Sequence, residues 1–313
     1  MNYKKIFNNK KILVTGHTGF KGSWLSAYLI SFGAKVYGIS KDIPTKPSHF
    51  NKINLGRRIK KSNMFDLIDK EKLRKKILHI KPDFIFHLAA QSLVGRSYLY
   101  PTHTWYSNTF GTINILEVLR EVKRETVVVL ITSDKVYKNI ETSKGYLEDD
   151  VIGGGDWSEN RLIPDCMRAW LQGRKAIIRS PNSTRPWQHV LDVLNGYLTL
   201  AYYLKKKKNG IHGEAFNFGP NPRKNLKVIE ILRLIKSYWN SIEWKIVKQK
   251  KFKENKLLNL NSNKASKKLK WKPFLNTESS LDLTVKWYKN CSRNNDANYN
   301  FTLKQINYFK NLL

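Results

Sequence analysis

Lys11-Ile12-Leu13-Val14-Thr15-Gly16-His17-Thr18-Gly19-Phe20-Lys21-Gly22 is the stretch from which the rest of the chain is read. Its first five residues form a short apolar run, the pattern of a buried strand. Glycines then recur at 16, 19 and 22. A backbone that turns sharply and comes close to a pyrophosphate leaves no room for a Cβ, and glycine meets that need. Leu25, Leu29 and Phe32 return at helical spacing until Gly33 stops the helix. The start of that helix offers unpaired amides and a partial positive charge to an anion. Lys35 to Ile39 reads as a second strand, and Asp42 follows about 20 residues after Gly22. A carboxylate there accepts from ribose hydroxyls and favours NAD over NADP, while neighbouring Lys41 pulls the other way.

Outward from this turn, the first half alternates short strands with amphipathic helices. That alternation predicts an α/β fold, a Rossmann-like doubly wound parallel sheet. Leu73, Ile77 and Ile80 share a helical face ended by Pro82, Asp83 to His87 is a strand, Ile115, Leu119 and Val122 mark a helix, and Thr126 to Thr132 is the most strand-like run. The stretch between the second strand and Leu73 shows no clear period. The second half has fewer strands: helices over Leu162 to Leu171, along Val190, Leu194, Tyr197 and Ala201, along Val228 to Ile235, and over Leu281 to Tyr288. Ala176 to Ile178 and Phe216 to Phe218 read as strands. The Asn-rich tail beyond Asn290 reads as loosely ordered, with Phe301 to Leu313 as a stretch that can dock as a helix. The expected organisation is a dinucleotide-binding domain over residues 1–150 and a smaller substrate-binding lobe over 151–313.

Composition narrows the function classes. A hydrophobic share of 41% with 17 glycines and 10 prolines is that of a globular protein. No apolar run is long enough to cross a bilayer, so no membrane association is expected. Cys166 and Cys291 alone make no disulfide framework, and a reducing cytoplasm is the expected location. No metal-ligating spacing stands out. Lys and Arg total 57 against 24 acids, a net charge of +33. Such a charge suits nucleic acid or another polyanion. The excess is mostly Lys, however, and it comes with abundant Asn and Ile, three residues that AT-rich codons raise together. No nucleic-acid recognition motif accompanies it, so nucleic acid is not the expected partner.

The glycine spacing, G-x-x-G-x-x-G, resembles the extended short-chain dehydrogenase/reductase family of NAD-dependent epimerases and dehydratases. Further blocks match in order: Asp66, His87-Leu88-Ala89-Ala90-Gln91, Asn108 within Ser107-Asn108-Thr109-Phe110-Gly111-Thr112, and Thr132-Ser133-Asp134. Within the family the chain is similar to the CDP-glucose 4,6-dehydratases. The carrying segments are Gly16 to Leu25, Ser133-Asp134-Lys135-Val136-Tyr137, Ile152-Gly153-Gly154-Gly155-Asp156-Trp157, Arg161-Leu162-Ile163-Pro164-Asp165 and Arg185-Pro186-Trp187-Gln188-His189-Val190. The resemblance implies cofactor contacts at Gly16, Gly19, Phe20, Gly22, Asp42, Asp66, Leu88, Ala89, Ala90 and Asn108. It implies a catalytic group of Ser133, Asp134 and Lys135, and sugar-nucleotide contacts at Asn160, Arg161, Arg185 and His189.

The chemistry so implied is internal redox. A hydride leaves C4 of a nucleotide-activated hexose for the nicotinamide, the resulting ketone acidifies the C5 proton, water departs from C6, and the hydride returns to C6. Asp134 is the implied acid and Lys135 the implied base. One part is absent. The family's Tyr-x-x-x-Lys helix and the next strand would follow the Asp134-Lys135 block, yet Gly145-Tyr146-Leu147-Glu148-Asp149-Asp150 runs straight into Val151-Ile152-Gly153. The sheet is therefore expected to be truncated. The family's usual homodimer loses half of the helix pair that forms it. Tyr137 and Tyr146 are the remaining tyrosines near the block. The alternative reading is a silent relic that binds NAD or a sugar nucleotide.

Overall fold

The computed structural model describes residues 1–132, 150–184, 187–220, 226–247 and 261–313. They belong to two compact units, Met1–Thr132 with Leu200–Lys208, and Ser133–Thr199 with Asn209–Leu313.

The first unit contains α1 (Tyr3–Phe7), β1 (Lys11–Thr15), α2 (Phe20–Ile30), β2 (Lys35–Ser40), α3 (His49–Lys52), β3 (Lys61–Met64), α4 (Lys70–Ile80), β4 (Phe84–His87), α5 (Val94–Leu99), α6 (Pro101–Trp105), α7 (Gly111–Glu121) and β5 (Val127–Leu130). The sheet order is β3-β2-β1-β4-β5 with every pairing parallel. This is the doubly wound order in which the sequence of strands reverses beside β1.

Strand alternation explains the layers. Leu13 and Ile85 join Ile39, Leu73, Ile77, Ile115 and Val118 in one buried cluster on the α4 and α7 side. Phe84 of the same sheet meets Phe7 of α1, ring centroids 5.1 Å apart. The expected helices and strands of this half are all present. The aperiodic stretch adds β3, whose sequence Lys-Ser-Asn-Met is polar because it is an edge strand burying only Asn63. Among the described residues β5 is the opposite edge.

The second unit contains β6 (Asp150–Ile152), α8 (Leu162–Leu171), β7 (Ala176–Ile178), β8 (Trp187–His189), α9 (Val190–Lys205, which counts with the first unit from Leu200 on), α10 (Val228–Tyr238), β9 (Trp244–Ile246), α11 (Asn263–Leu269), α12 (Thr277–Asn290) and α13 (Asn295–Lys310). Its strands form two parallel pairs, β6 with β8 and β7 with β9. Two expectations need correction. Phe216 to Phe218 is not a strand: Ser262 Oγ accepts from the Gly219 amide at 2.7 Å, and the Phe218 ring packs on Trp271 at 5.0 Å. Side-chain burial, with no ladder, shapes that segment. The tail is ordered rather than loose, because Tyr299, Ile306 and Phe309 bury one stripe of α13. No described helix is long and apolar enough to cross a membrane.

Candidate functional site

The glycine turn closes on itself. Gly16 has φ +72°, its amide donates to Ile39 at 2.8 Å, and its carbonyl accepts from Gly19 at 3.0 Å. A Cβ at Gly16 would lie 2.8 Å from the Ala89 nitrogen, and one at Gly22 would lie 2.1 Å from the Gly16 oxygen. Neither position has space for a side chain, so the loop after β1, the start of α2 and the loop after β4 meet backbone to backbone. Gly19 is the N-cap of α2, no side chain caps it, and the first turn holds no acid. The amides that begin the helix therefore remain available to an anion.

Three histidines fasten this region. His17, inside the turn, is buried, with Nδ1 2.8 Å from Ser40 Oγ and Nε2 2.7 Å from Ser62 Oγ. Burial lowers its pKa to about 4, against a smaller opposing hydrogen bond to the Ile39 backbone, so the neutral ring bridges β2 and β3. His49 stacks on Trp24 with centroids 4.8 Å apart, and its Nδ1 lies 2.8 Å from Ser23 Oγ. His87 Nδ1 meets Thr15 Oγ1 at 2.6 Å, and Thr15 Oγ1 also accepts from the Ala89 amide at 3.3 Å. Burial holds His49 near 3 and His87 near 4. The sequence reading missed these roles. His17 lies between two of the turn glycines, and that placement was the signal to find it.

The loops beyond carry the other expected contacts. Thr18 Oγ1 donates to the main-chain oxygen of Asp42 at 2.6 Å, tying that residue beside the glycine turn. Asp66 pairs with Lys41 at 2.8 Å. Partial burial raises the Asp66 pKa, yet hydrogen bonds from Lys41 and the Ile68 amide outweigh it and leave it below the usual carboxylate range. Asn108 sits in a π-helical turn, Tyr106–Phe110, that joins α6 to α7. Its amide group spends both ends on the Gln91 backbone, accepting from the nitrogen at 2.7 Å and donating to the oxygen at 3.0 Å. It thus fixes the Leu88-Ala89-Ala90-Gln91 loop. Turns of this kind often appear where a helix is bent to place a functional loop.

In the second unit the Gly153-Gly154-Gly155-Asp156-Trp157 turn follows β6. Tyr288 donates to the Asp156 oxygen, and Trp157 packs edge-on against Tyr288 at 5.2 Å. Burial pushes the Tyr288 hydroxyl well above its usual pKa. Arg161 reaches Asp156 at 3.5 Å, and Asn160 has φ +60° with an exposed side chain. His189, on β8, is fully buried, its Nδ1 accepts from the Leu191 amide at 3.3 Å, and burial lowers its pKa to about 3. It is therefore neutral. Asp192 is also buried, accepting from Phe274 and Leu275 at 2.8 and 3.1 Å, with burial raising it to about 7. Ser133, Asp134, Lys135, Tyr137, Tyr146 and Arg185 lie outside the described residues.

The geometry thus groups Gly16, Gly19, Gly22, Leu88 and Ala89 tightly, with Asp42 tied to them through Thr18 and Asn108 through Gln91. Comparison with known proteins identifies the family and the fold. Residues 13–151 match the family model described as GDP-mannose 4,6 dehydratase. The chain is 35% identical to CDP-glucose 4,6-dehydratase of Salmonella typhimurium strain LT2, covering 94% of each. Because 94% of 313 residues is about 294, about 47 of the 341 aligned positions have no counterpart in this chain. Among solved structures, UDP-glucose 4-epimerase of Thermotoga maritima with UDP-glucose matches at TM-score 0.74, with 22% identity over 89% of this chain and 98% of that one. The dTDP-glucose 4,6-dehydratase of Bacillus anthracis in complex with NAD matches at 0.70, with 20% identity over 90% and 96%. Those structures share the fold, and the sequence relationship carries the rest: this chain belongs to the sugar-nucleotide 4,6-dehydratase family.

Proposed function

We propose that the chain binds NAD at the Gly16–Gly22 turn and acts by descent as a CDP-glucose 4,6-dehydratase. The cofactor is assigned to residues 1–150 and the sugar nucleotide to 151–313. The observation that carries the cofactor half is the cradle: backbone fills the space of a Cβ at Gly16 and Gly22, beside an uncapped helix start. Those residues fit a dinucleotide. Gly16, Gly19, Phe20 and Gly22 would hold the pyrophosphate, Asp42 the ribose and Asp66 the adenine. Leu88, Ala89 and Ala90 would line the nicotinamide side, kept in place by Asn108. When bound, the nicotinamide supplies a reversible acceptor for the sugar hydride.

The protein groups would do the proton work. Asp134 donates to the departing C6 hydroxyl and Lys135 takes the C5 proton, a task that needs a Lys pKa depressed by burial. Ser133 immediately precedes them in the chain. Arg185 and Arg161 suit a diphosphate because a guanidinium pairs with phosphate in two parallel bonds. Asn160 and neutral His189 add hydrogen bonds without charge. The choice of CDP-glucose is supported by the 35% identity to the Salmonella enzyme.

A second reading, a silent binder of NAD or sugar nucleotide, is favoured by one observation. No Tyr-x-x-x-Lys follows the Asp134-Lys135 block before Val151, and about 47 positions of the alignment with the Salmonella enzyme have no counterpart in this chain. One experiment separates the two. The purified chain is denatured to release nicotinamide, and a parallel sample is incubated with CDP-glucose and read for 4-keto-6-deoxy product by absorbance in alkali. Product is the expected result, with loss on Tyr137→Phe or Tyr146→Phe naming the substitute for the missing Tyr. Bound NAD without product would establish the silent binder, and neither signal would overturn both.

A further inference from the structure

Lys41 and Asp42 make opposite demands on the same ligand. A carboxylate just after the second strand suits a ribose diol, whereas a cation there suits a ribose 2′-phosphate. The Lys41 side chain and the Asp42 main chain make separate contacts. We infer that Lys41 is a specificity-determining residue that Asp66 and His103 hold away from the ribose position, so that the site takes the unphosphorylated dinucleotide. This rests on the cofactor reading of the glycine turn.

Lys41 Nζ donates to Asp66 Oδ2 at 2.8 Å and to His103 Nε2 at 3.0 Å. An ammonium has three donors, so two of them are spent on this clamp. The acceptor side is itself anchored. Asp66 Oδ1 accepts from the Ile68 amide at 3.2 Å, and Asn114 on α7 donates to the Leu67 and Ile68 carbonyls at 2.9 and 3.3 Å. Meanwhile the Thr18 hydroxyl fixes residue 42 against the glycine turn through its main-chain oxygen at 2.6 Å. The two neighbours are thereby drawn apart, one toward the cradle and the other toward the loop after β3. Ile68 and His103 also border an open cavity of about 490 Å³, together with Tyr100 and Tyr106, so there is room beside the clamp for the adenosine end of a ligand.

The clamp is exposed, with side-chain accessibilities of 48% for Lys41 and 29% for Asp66. Exposed pairs are weak, so the expected change in preference is a few-fold and not several hundred-fold. Its readout is the ratio of NADPH to NADH affinity, measured by cofactor fluorescence on the purified full chain. Any contact of Asp66 with adenine is common to both ligands and cancels in that ratio.

The wild-type chain should prefer NADH. Asp66→Asn should raise the NADPH-to-NADH ratio roughly threefold to fivefold, more at low salt than at high salt. The double variant Lys41→Ala/Asp66→Asn should lose that gain, because the freed ammonium is its source. NADH binding with an unmoved ratio in Asp66→Asn, or a gain that survives without Lys41, overturns the clamp and leaves the cradle standing. A wild-type preference for NADPH does the same. Failure of the wild-type chain to bind either dinucleotide overturns the cradle and the clamp together.

Discussion

Two glycine turns follow strands in this chain, one in each unit, and their glycines are needed for different reasons. At Gly16 and Gly22 the missing side chain makes way for backbone, the Ala89 nitrogen and the Gly16 oxygen, next to an uncapped helix start. At Gly154 it makes way for the protein's own core: a Cβ there would fall 1.9 Å from Cγ of Trp287. The first turn keeps backbone amides open to a ligand. The second is closed by Trp287 and Tyr288 of α12, with the Trp287 indole in turn donating to Thr302 of α13 at 3.0 Å. What fills the space of the missing Cβ thus separates the two turns: backbone in the first, the aromatic core in the second.

The units differ again in their buried titratable groups, and this gives the largest expected effect. In the first unit His17, His49 and His87 are held at about 4, 3 and 4, whereas a free histidine titrates near 6.5. Between those values the unfolded chain binds protons that the folded unit does not. Stability from these groups is fully present above pH 6.5 and is lost as the pH falls toward 4, at up to about 1.4 kcal/mol per group for each pH unit. In the second unit His189 has the same sign, but Asp192 has the opposite one. Its carboxyl is held at about 7 against an ordinary 3.8, so its contribution is present below 3.8 and is lost as the pH rises through 7. Hydrogen exchange at pH 7 and pH 5, corrected for the intrinsic rate, should show β1 and β4 losing protection by roughly a thousandfold or more relative to α12. Equal losses in the two units would break the contrast.

A smaller effect is expected from Gly154→Ala. Forcing a methyl into the Trp287 ring should cost about 3 kcal/mol, measured as a shift of the urea midpoint, with NADH affinity little changed. Gly22→Ala should reverse that pattern. Its methyl meets the Gly16 carbonyl, so NADH affinity should fall at least about tenfold for a stability loss of about 1 to 2 kcal/mol. If Gly154→Ala loosens cofactor binding as much as Gly22→Ala does, the two turns are not the separate devices described above.

How much of this was legible in advance follows from the range of the interactions. The cradle glycines, α8 and β7 were readable because each is written in a local pattern, a turn composition or a period of 3.6 or 2. β3 was not readable, since its polar residues satisfy an edge strand and leave no alternation. Phe216 to Phe218 misled for the converse reason: its aromatics bury against Trp271, and ladder pairing plays no part. The role of His17 depends on Ser40 and Ser62, 23 and 45 residues away. Nothing local in the sequence marked Asn108 as the residue that holds Gln91, 17 positions away.

The sequence by itself determined the fold class, the glycine turn after β1 and the membership of the dehydratase family. These are properties of local pattern and of matched blocks in order. Only the tertiary structure decided which glycine turn is filled from within, where the Lys41 ammonium goes, and which histidines are neutral. Such outcomes depend on contacts between residues far apart in the chain, as between Tyr288 and Asp156 across 132 positions, and on the desolvation that packing imposes.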